Sequence, residues 1–138
     1  MKPTIFLFSL ILSISFIGST LAESNDAWDA YKKGNYKAAY DEWLPLAEKG
    51  SAEAQFNLAG MYAKGYGVTL DDKEAVYWYK KSAEQGYAKA QYNLGVMYLI
   101  GNGVNKSLSD AKHWLSLAYD NGIEDVEILW NKYELWNY

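Results

Sequence analysis

No cysteine occurs anywhere in the 138 residues, and His113 is the only histidine. The first absence removes disulfides and thiolate chemistry. The second removes a zinc site of the usual kind, which takes three or four ligands, mostly His or Cys. Asp120, Glu124 and Asp125 are acidic, but they lack the ligand spacing of an EF-hand loop. Neither a metal nor any other cofactor is expected. Positive charge is also short, with 13 Lys and Arg against 17 Asp and Glu and a formal net charge of −4. Binders of nucleic acid need clustered basic residues to displace counterions, so that class of partner is set aside.

A long hydrophobic run is missing too. The one apolar stretch, Ile5 to Ile17, is interrupted only by serines, and it falls short of the roughly 20 residues that a membrane-spanning helix requires. Lys2 precedes it, and Thr20-Leu21-Ala22 follows with the small residues that signal peptidase reads. Residues 1–22 are therefore expected to be a signal peptide cleaved before Glu23, placing the mature chain in the periplasm or outside the cell. Without a cysteine at the cleavage site there is no bacterial lipid anchor. Removing 1–22 takes only Lys2 from the charge count, which leaves 12 basic against 17 acidic residues, a net −5.

What the chain does have is aromatic mass: 6 Trp, 13 Tyr and 4 Phe. A domain without disulfides must be held by its core, and these side chains bring large buried areas to it. They are also arranged periodically. Ser51–Gly86 laid over Tyr87–Gly122 shares thirteen identities in 36 positions, where unrelated segments would share about two or three. The shared set includes Ala54/Ala90, Gln55/Gln91, Asn57/Asn93, Leu58/Leu94, Met61/Met97, Tyr62/Tyr98, Ala75/Ala111 and Trp78/Trp114. Each unit reads as two helices. Ala54, Leu58, Met61 and Tyr62 lie on one face of a 3.6-residue period, and Ala75, Trp78, Tyr79, Ser82 and Ala83 do the same in the second helix. Asp71 with Glu74, and Ser107 with Asp110, have the spacing of a capping box at its start. Gly50, Gly86 and Gly122 suit the left-handed residue past its end.

"GYGV" at Gly65–Val68 and "GNGV" at Gly101–Val104 fall between the two helices of each unit. A phosphate-binding glycine loop would follow a strand, and no alternating pattern precedes either copy. They read as turns that need positive φ, with Val68 and Val104 folding back onto the helices.

The segments "AEAQFNLAGMYAKGYGVTLDDKEAVYWYKKSAEQG" and "AKAQYNLGVMYLIGNGVNKSLSDAKHWLSLAYDNG" resemble Sel-like repeats, relatives of the tetratricopeptide repeat. "AWDAYKKGNYKAAYDEWLPLAEKG" resembles a shorter tetratricopeptide-like unit lacking the GxGV insertion. The expected organisation is an N-terminal helical unit over 23–50, repeats over 51–86 and 87–122, and a lone capping helix over 123–138. In that last segment Val126 and Trp130 keep the repeat register, while Glu134 falls where Tyr98 stood. The resemblance implies an all-α, right-handed solenoid whose first helices line a concave, ligand-binding face.

Candidate chemistry is thin. Some Sel-like repeat proteins are described as penicillin-binding or β-lactamase-like, and Ser109-Asp110-Ala111-Lys112 fits Ser-x-x-Lys. The accompanying Ser-Asp-Asn and Lys-Thr-Gly elements are absent, and Ser109 sits at a helix start, where serine is favoured for structural reasons. The members of that kind are also rich in cysteine. His113 aligns with Tyr77 and reads as a helix-surface residue. Trp78, Trp114, Tyr62 and Tyr98 read as core, while Trp43, Trp130, Trp136 and Tyr138 are less constrained, and some are expected to be exposed at the ends of the array.

A binding face has better material. A second stripe on the first helices carries Glu53, Asn57, Gly60 and Lys64, then Lys89, Asn93, Val96 and Ile100, continued by Asp125, Leu129, Lys132 and Trp136. An asparagine amide presents the donor and acceptor that an extended peptide backbone matches. Asparagine at this place contacts bound peptide in related tetratricopeptide grooves, which the resemblance extends to Asn57 and Asn93. The alternative is that each amide braces the neighbouring repeat. A non-catalytic module binding a protein or peptide is the expected function. A hydrolase acting on β-lactam or cell-wall amides through Ser109 and Lys112, or a subunit stacking on copies of itself, are the alternatives.

Overall fold

A computed structural model describes residues 26–138. All regular structure among the described residues is helical. Helix α1 occupies 26–32, followed by α2 (Tyr36–Glu48), α3 (Ala52–Lys64), α4 (Asp72–Glu84), α5 (Ala88–Ile100), α6 (Leu108–Asp120) and α7 (Val126–Tyr133), with a 3-10 turn at Leu135–Asn137. None of these helices is long and apolar enough to cross a membrane. Each of α2 to α7 packs chiefly against its neighbours in the chain, the pattern of a repeat array. The proposed signal segment and its cleavage site lie outside the described residues.

The helix faces follow the apolar periodicity. In α4 the buried residues are Ala75, Trp78, Tyr79, Ser82 and Ala83, the five that share one face. In α3 the stripe widens: Gln55, Asn57 and Ala59 are buried along with Ala54, Leu58 and Met61. Tyr62 is half-buried, its hydroxyl bonded to that of Tyr40 at 3.0 Å. α5 buries as many residues as α3 but on a different set of positions, with Leu99 as well as Leu94 and Met97 out of solvent. One buried cluster runs from Ala27 to Met97, and a second gathers Leu99, Ala111, Leu115, Ala118, Val126 and Leu135, with Tyr98 packing on both.

The starts of α4 and α6 differ in one detail from a full capping box. Asp71 accepts from the backbone N–H groups of Lys73 and Glu74, and Ser107 accepts from that of Asp110. The return arm is replaced: the N–H of Asp71 donates to the Tyr62 carbonyl and that of Ser107 to the Tyr98 carbonyl, both at 3.0 Å. The cap thus ties the second helix of each unit to the end of the first.

The GxGV segments are turns. Gly65 and Gly101 close α3 and α5 in the left-handed conformation, at φ 67° and 74°. Gly67 and Gly103 are also left-handed, and they meet the preceding unit. A Cβ on Gly67 would come within 2.8 Å of the Tyr36 carbonyl, and one on Gly103 would collide with the backbone of Asp72. Tyr36 and Asp72 open α2 and α4 and are themselves 36 residues apart, so α2 keeps the register of α4 and α6. Val68 and Val104 pack on the core behind these turns.

At the C-terminal end Val126 is fully buried, but Glu134 turns left-handed at φ 52° and ends α7. The terminal segment is an eight-residue helix and a 3-10 turn, through which Leu135 still reaches the core. This break removes Trp136 from the stripe that Leu129 and Lys132 continue. Trp136 and Tyr138 are exposed, and Trp130 is half-buried. Trp43, near the other end, is in contrast fully enclosed.

Candidate functional site

The first helices bring part of the second stripe to a single cavity of about 180 Å³. Asn57, Gly60 and Lys64 from α3 and Asn93 from α5 line it. Aromatic walls close the rest: Trp28 and Tyr31 from α1, Trp43 from α2, Phe56 from α3 and Tyr79 from α4. α1 is locked in place by an edge-on contact between Trp28 and Trp43, with ring centroids 5.2 Å apart, and by Trp28 Nε1 donating to Glu53 at 3.2 Å. Glu53 therefore serves the joint between α1 and α3. Of the remaining stripe residues, Lys89 and Ile100 are exposed and Val96 is half-buried, outside the cavity.

The Asn57 amide nitrogen braces no neighbouring unit among the described residues, whereas Asn93 meets Tyr79 of the preceding unit; most of the bracing is done by other amides. That work falls to Gln55 and Gln91, whose repetition the sequence displays but whose role periodicity does not reveal. Gln55 Nε2 donates to the Ala47 carbonyl at 3.0 Å, and Gln91 Nε2 to the Ala83 carbonyl at 3.1 Å. Each glutamine oxygen then accepts an amide from the end of the second helix of its own unit: Gln85 reaches Gln55 at 2.8 Å and Asn121 reaches Gln91 at 2.9 Å. Ser82 adds a further tie, donating to the Ala52 carbonyl at 2.7 Å.

Asn57 is left differently placed. It is 7% exposed, and its amide nitrogen has no hydrogen-bond acceptor among the described residues. Trp43 Nε1, in a side chain 1% exposed on the same cavity, has none either. A buried donor without an acceptor costs about 1–3 kcal/mol. Trp130 Nε1 shares this condition elsewhere in the molecule. Asn93 sits beside Tyr79, whose hydroxyl pKa is raised by burial against an opposing hydrogen bond from the Asn93 amide.

The Ser109–Lys112 pair lies on the opposite end of the array, beside His113 and Tyr138. Lys112 Nζ donates to the Tyr138 carbonyl at 2.7 Å, and Ser109 Oγ lies 3.3 Å from Ser107 Oγ. No hydrogen bond joins Ser109 to Lys112 among the described residues, and a serine nucleophile needs its base within that reach.

Tandem helical hairpins, glycine turns set on the preceding unit and glutamine struts across each joint define a helical-repeat protein. The chain belongs to the Sel1 repeat family, whose model matches residues 52–87 and 88–123. Among solved structures it is similar to a Sel1 repeat protein from Oxalobacter formigenes, at 36% identity and TM-score 0.73 over 77% of this chain and 45% of that one. A protective antigen of uropathogenic Escherichia coli with the same repeat fold aligns at 31% identity and TM-score 0.73, over 81% of this chain and 25% of that one. Cysteine rich protein B of Helicobacter pylori shares the fold at 23% identity and TM-score 0.63, over 66% and 68% of the two chains. An exopolysaccharide production negative regulator from Rhizobium leguminosarum bv. viciae is 44% identical over 54 residues, 39% of this chain and 20% of the regulator. The chain thus spans less than half the length of the regulator, the O. formigenes protein and the E. coli antigen.

Proposed function

We propose that this chain is an exported, non-catalytic module that binds another protein, or an extended segment of one, along the first helices α3 and α5. The family itself suggests an interaction scaffold. The observation that carries the reading is the division of labour between amides. Gln55 and Gln91 brace the joints, so Asn57 is not needed there, and its side chain lines a cavity that Asn93 also lines.

A photoreactive residue at Ile100, exposed beside the groove, would capture the partner in its native compartment. Replacing Asn57 and Asn93 together by Ala should weaken that association roughly 5- to 150-fold, the value of two lost hydrogen bonds. Undiminished capture by the double variant would overturn the groove. Export is tested separately by the intact mass of the native protein, which should begin at Glu23; a chain retaining Met1 would overturn that part.

A further inference from the structure

The two ends of the array are finished differently. In both Sel1 repeats the first helix carries an aromatic residue at the same place, Phe56 and then Tyr92. Phe56 is covered by Tyr87 of the following unit, with ring centroids 5.2 Å apart, and Tyr92 packs on the C-terminal cluster. Ile128 holds that place in α7, where no following unit covers it among the described residues, and it is 66% exposed. Tyr119, Trp136 and Tyr138 are also exposed, so four of the seven large hydrophobic side chains exposed among the described residues gather within 119–138. At the other end Glu42 stands where the later units have Trp78 and Trp114, and it shares a hollow with Asp26 and Asp41. The head is acidic, while the tail leaves apolar surface bare.

The bare isoleucine lies between charges of opposite sign. Glu124 is four residues before Ile128 and Lys132 four after, so the three share one helical face. Glu124 enters that spiral through its carbonyl, which accepts from the Glu127 N–H at 3.1 Å. All three side chains are exposed, and neither charge has an ion-pair partner among the described residues. Glu127, the neighbouring carboxylate, is engaged by the Tyr119 hydroxyl at 3.0 Å. An acid, an isoleucine and a base in that order complement the same sequence reversed. Two such helices laid antiparallel about a two-fold axis at Ile128 bring the isoleucines together and set Glu124 of each copy against Lys132 of the other.

We propose that this face of α7 is the contact of a symmetric dimer, with a second copy of this chain seated on it. Head-to-tail stacking would instead set the isoleucine against the acidic hollow, where carboxylates would lose water. One helix face makes a small interface, so the pair belongs to the weak, concentration-dependent class. α7 contributes nothing to the cavity lined by Asn57 and Asn93, so the dimer does not rest on the groove. Where both stand, the pair presents two grooves to one partner.

Sedimentation equilibrium of the purified native protein, up to millimolar concentration, should show a mass rising toward two chains and no further. Ile128→Ser, at an exposed position, should leave the melting temperature of the single chain unchanged while weakening association more than about tenfold. Glu124→Lys and Lys132→Glu each turn both ion pairs repulsive, and each alone should weaken association at least about fivefold. Mixed in equal amounts, these two variants should pair with one another about as tightly as wild type, since opposite charges again face each other. That recovery cannot arise within one chain, so it separates contact between copies from any loss of helix stability. A chain that stays single throughout, a mass that climbs past two chains, an Ile128→Ser variant that associates as wild type does, or a mixture no better than its components would each overturn the dimer.

Discussion

Gln55 and Asn57 stand two residues apart on α3, both buried amides and both repeated 36 residues later, yet they do different work. Two steps along a helix turn the side chain through about 200°, so Gln55 faces back toward α2 while Asn57 faces the cavity. Gln55→Leu should therefore destabilise by about 1–3 kcal/mol, since it removes two hydrogen bonds, one to the Ala47 carbonyl and one from the Gln85 amide. Urea unfolding measures this, and a neutral result would dismiss the strut. The tyrosines supply a pH prediction at the same scale. Tyr62 and Tyr87 have raised hydroxyl pKa values, each through burial first, with Tyr40 adding to the shift at Tyr62. Above the ordinary tyrosine value near 10 the unfolded chain loses protons that the folded chain keeps, so stability falls as pH rises from there. Tyr62→Phe should flatten that alkaline slope. At this scale the sequence was a partial guide. Repetition marks both amides as important, but it does not say which one meets protein and which one meets a cavity.

Helices α2 to α6 each run thirteen residues, and their faces were largely legible because apolar spacing and burial coincide in α4. α5 was less so. It lies between α4 and α6 and sends Met97 and Leu99 to two different clusters, so no single stripe describes it. The turns were legible as positive-φ glycines, but the pattern does not reveal that they are also contact surfaces. Gly103→Ala and Gly122→Ala separate the two effects. Both positions are left-handed, so both pay about 1–2 kcal/mol for a Cβ there. Around Gly122 the space is open, whereas at Gly103 the Cβ would strike the backbone of Asp72. Gly103→Ala should cost clearly more than Gly122→Ala in thermal unfolding. Equal costs would mean that the turn does not bear on the preceding unit.

An array whose helices touch mainly their sequence neighbours is stabilised by unit and joint contributions that add nearly in series. Its two buried clusters meet at α5, so the molecule has a place to part. The cavity lies wholly on the N-terminal side of that boundary, walled by residues from α1 to α5. Leu135→Ala probes whether the boundary is real. Leu135 is completely buried in the C-terminal cluster with Leu99, Leu115 and Val126. Its truncation should cost about 2–5 kcal/mol, the range for a leucine that leaves a cavity. In a serial array that loss falls first on α7 and the outer face of α6. Hydrogen exchange should therefore speed sharply for α7 amides and little for those of α3 and α4. Leu58→Ala, in the middle of α3 and of the other cluster, should instead release protection on both sides of the cavity. If Leu135→Ala lowered protection equally in α3 and α7, the array would be opening as one unit, and the cavity could not be insulated from events at the C-terminal end.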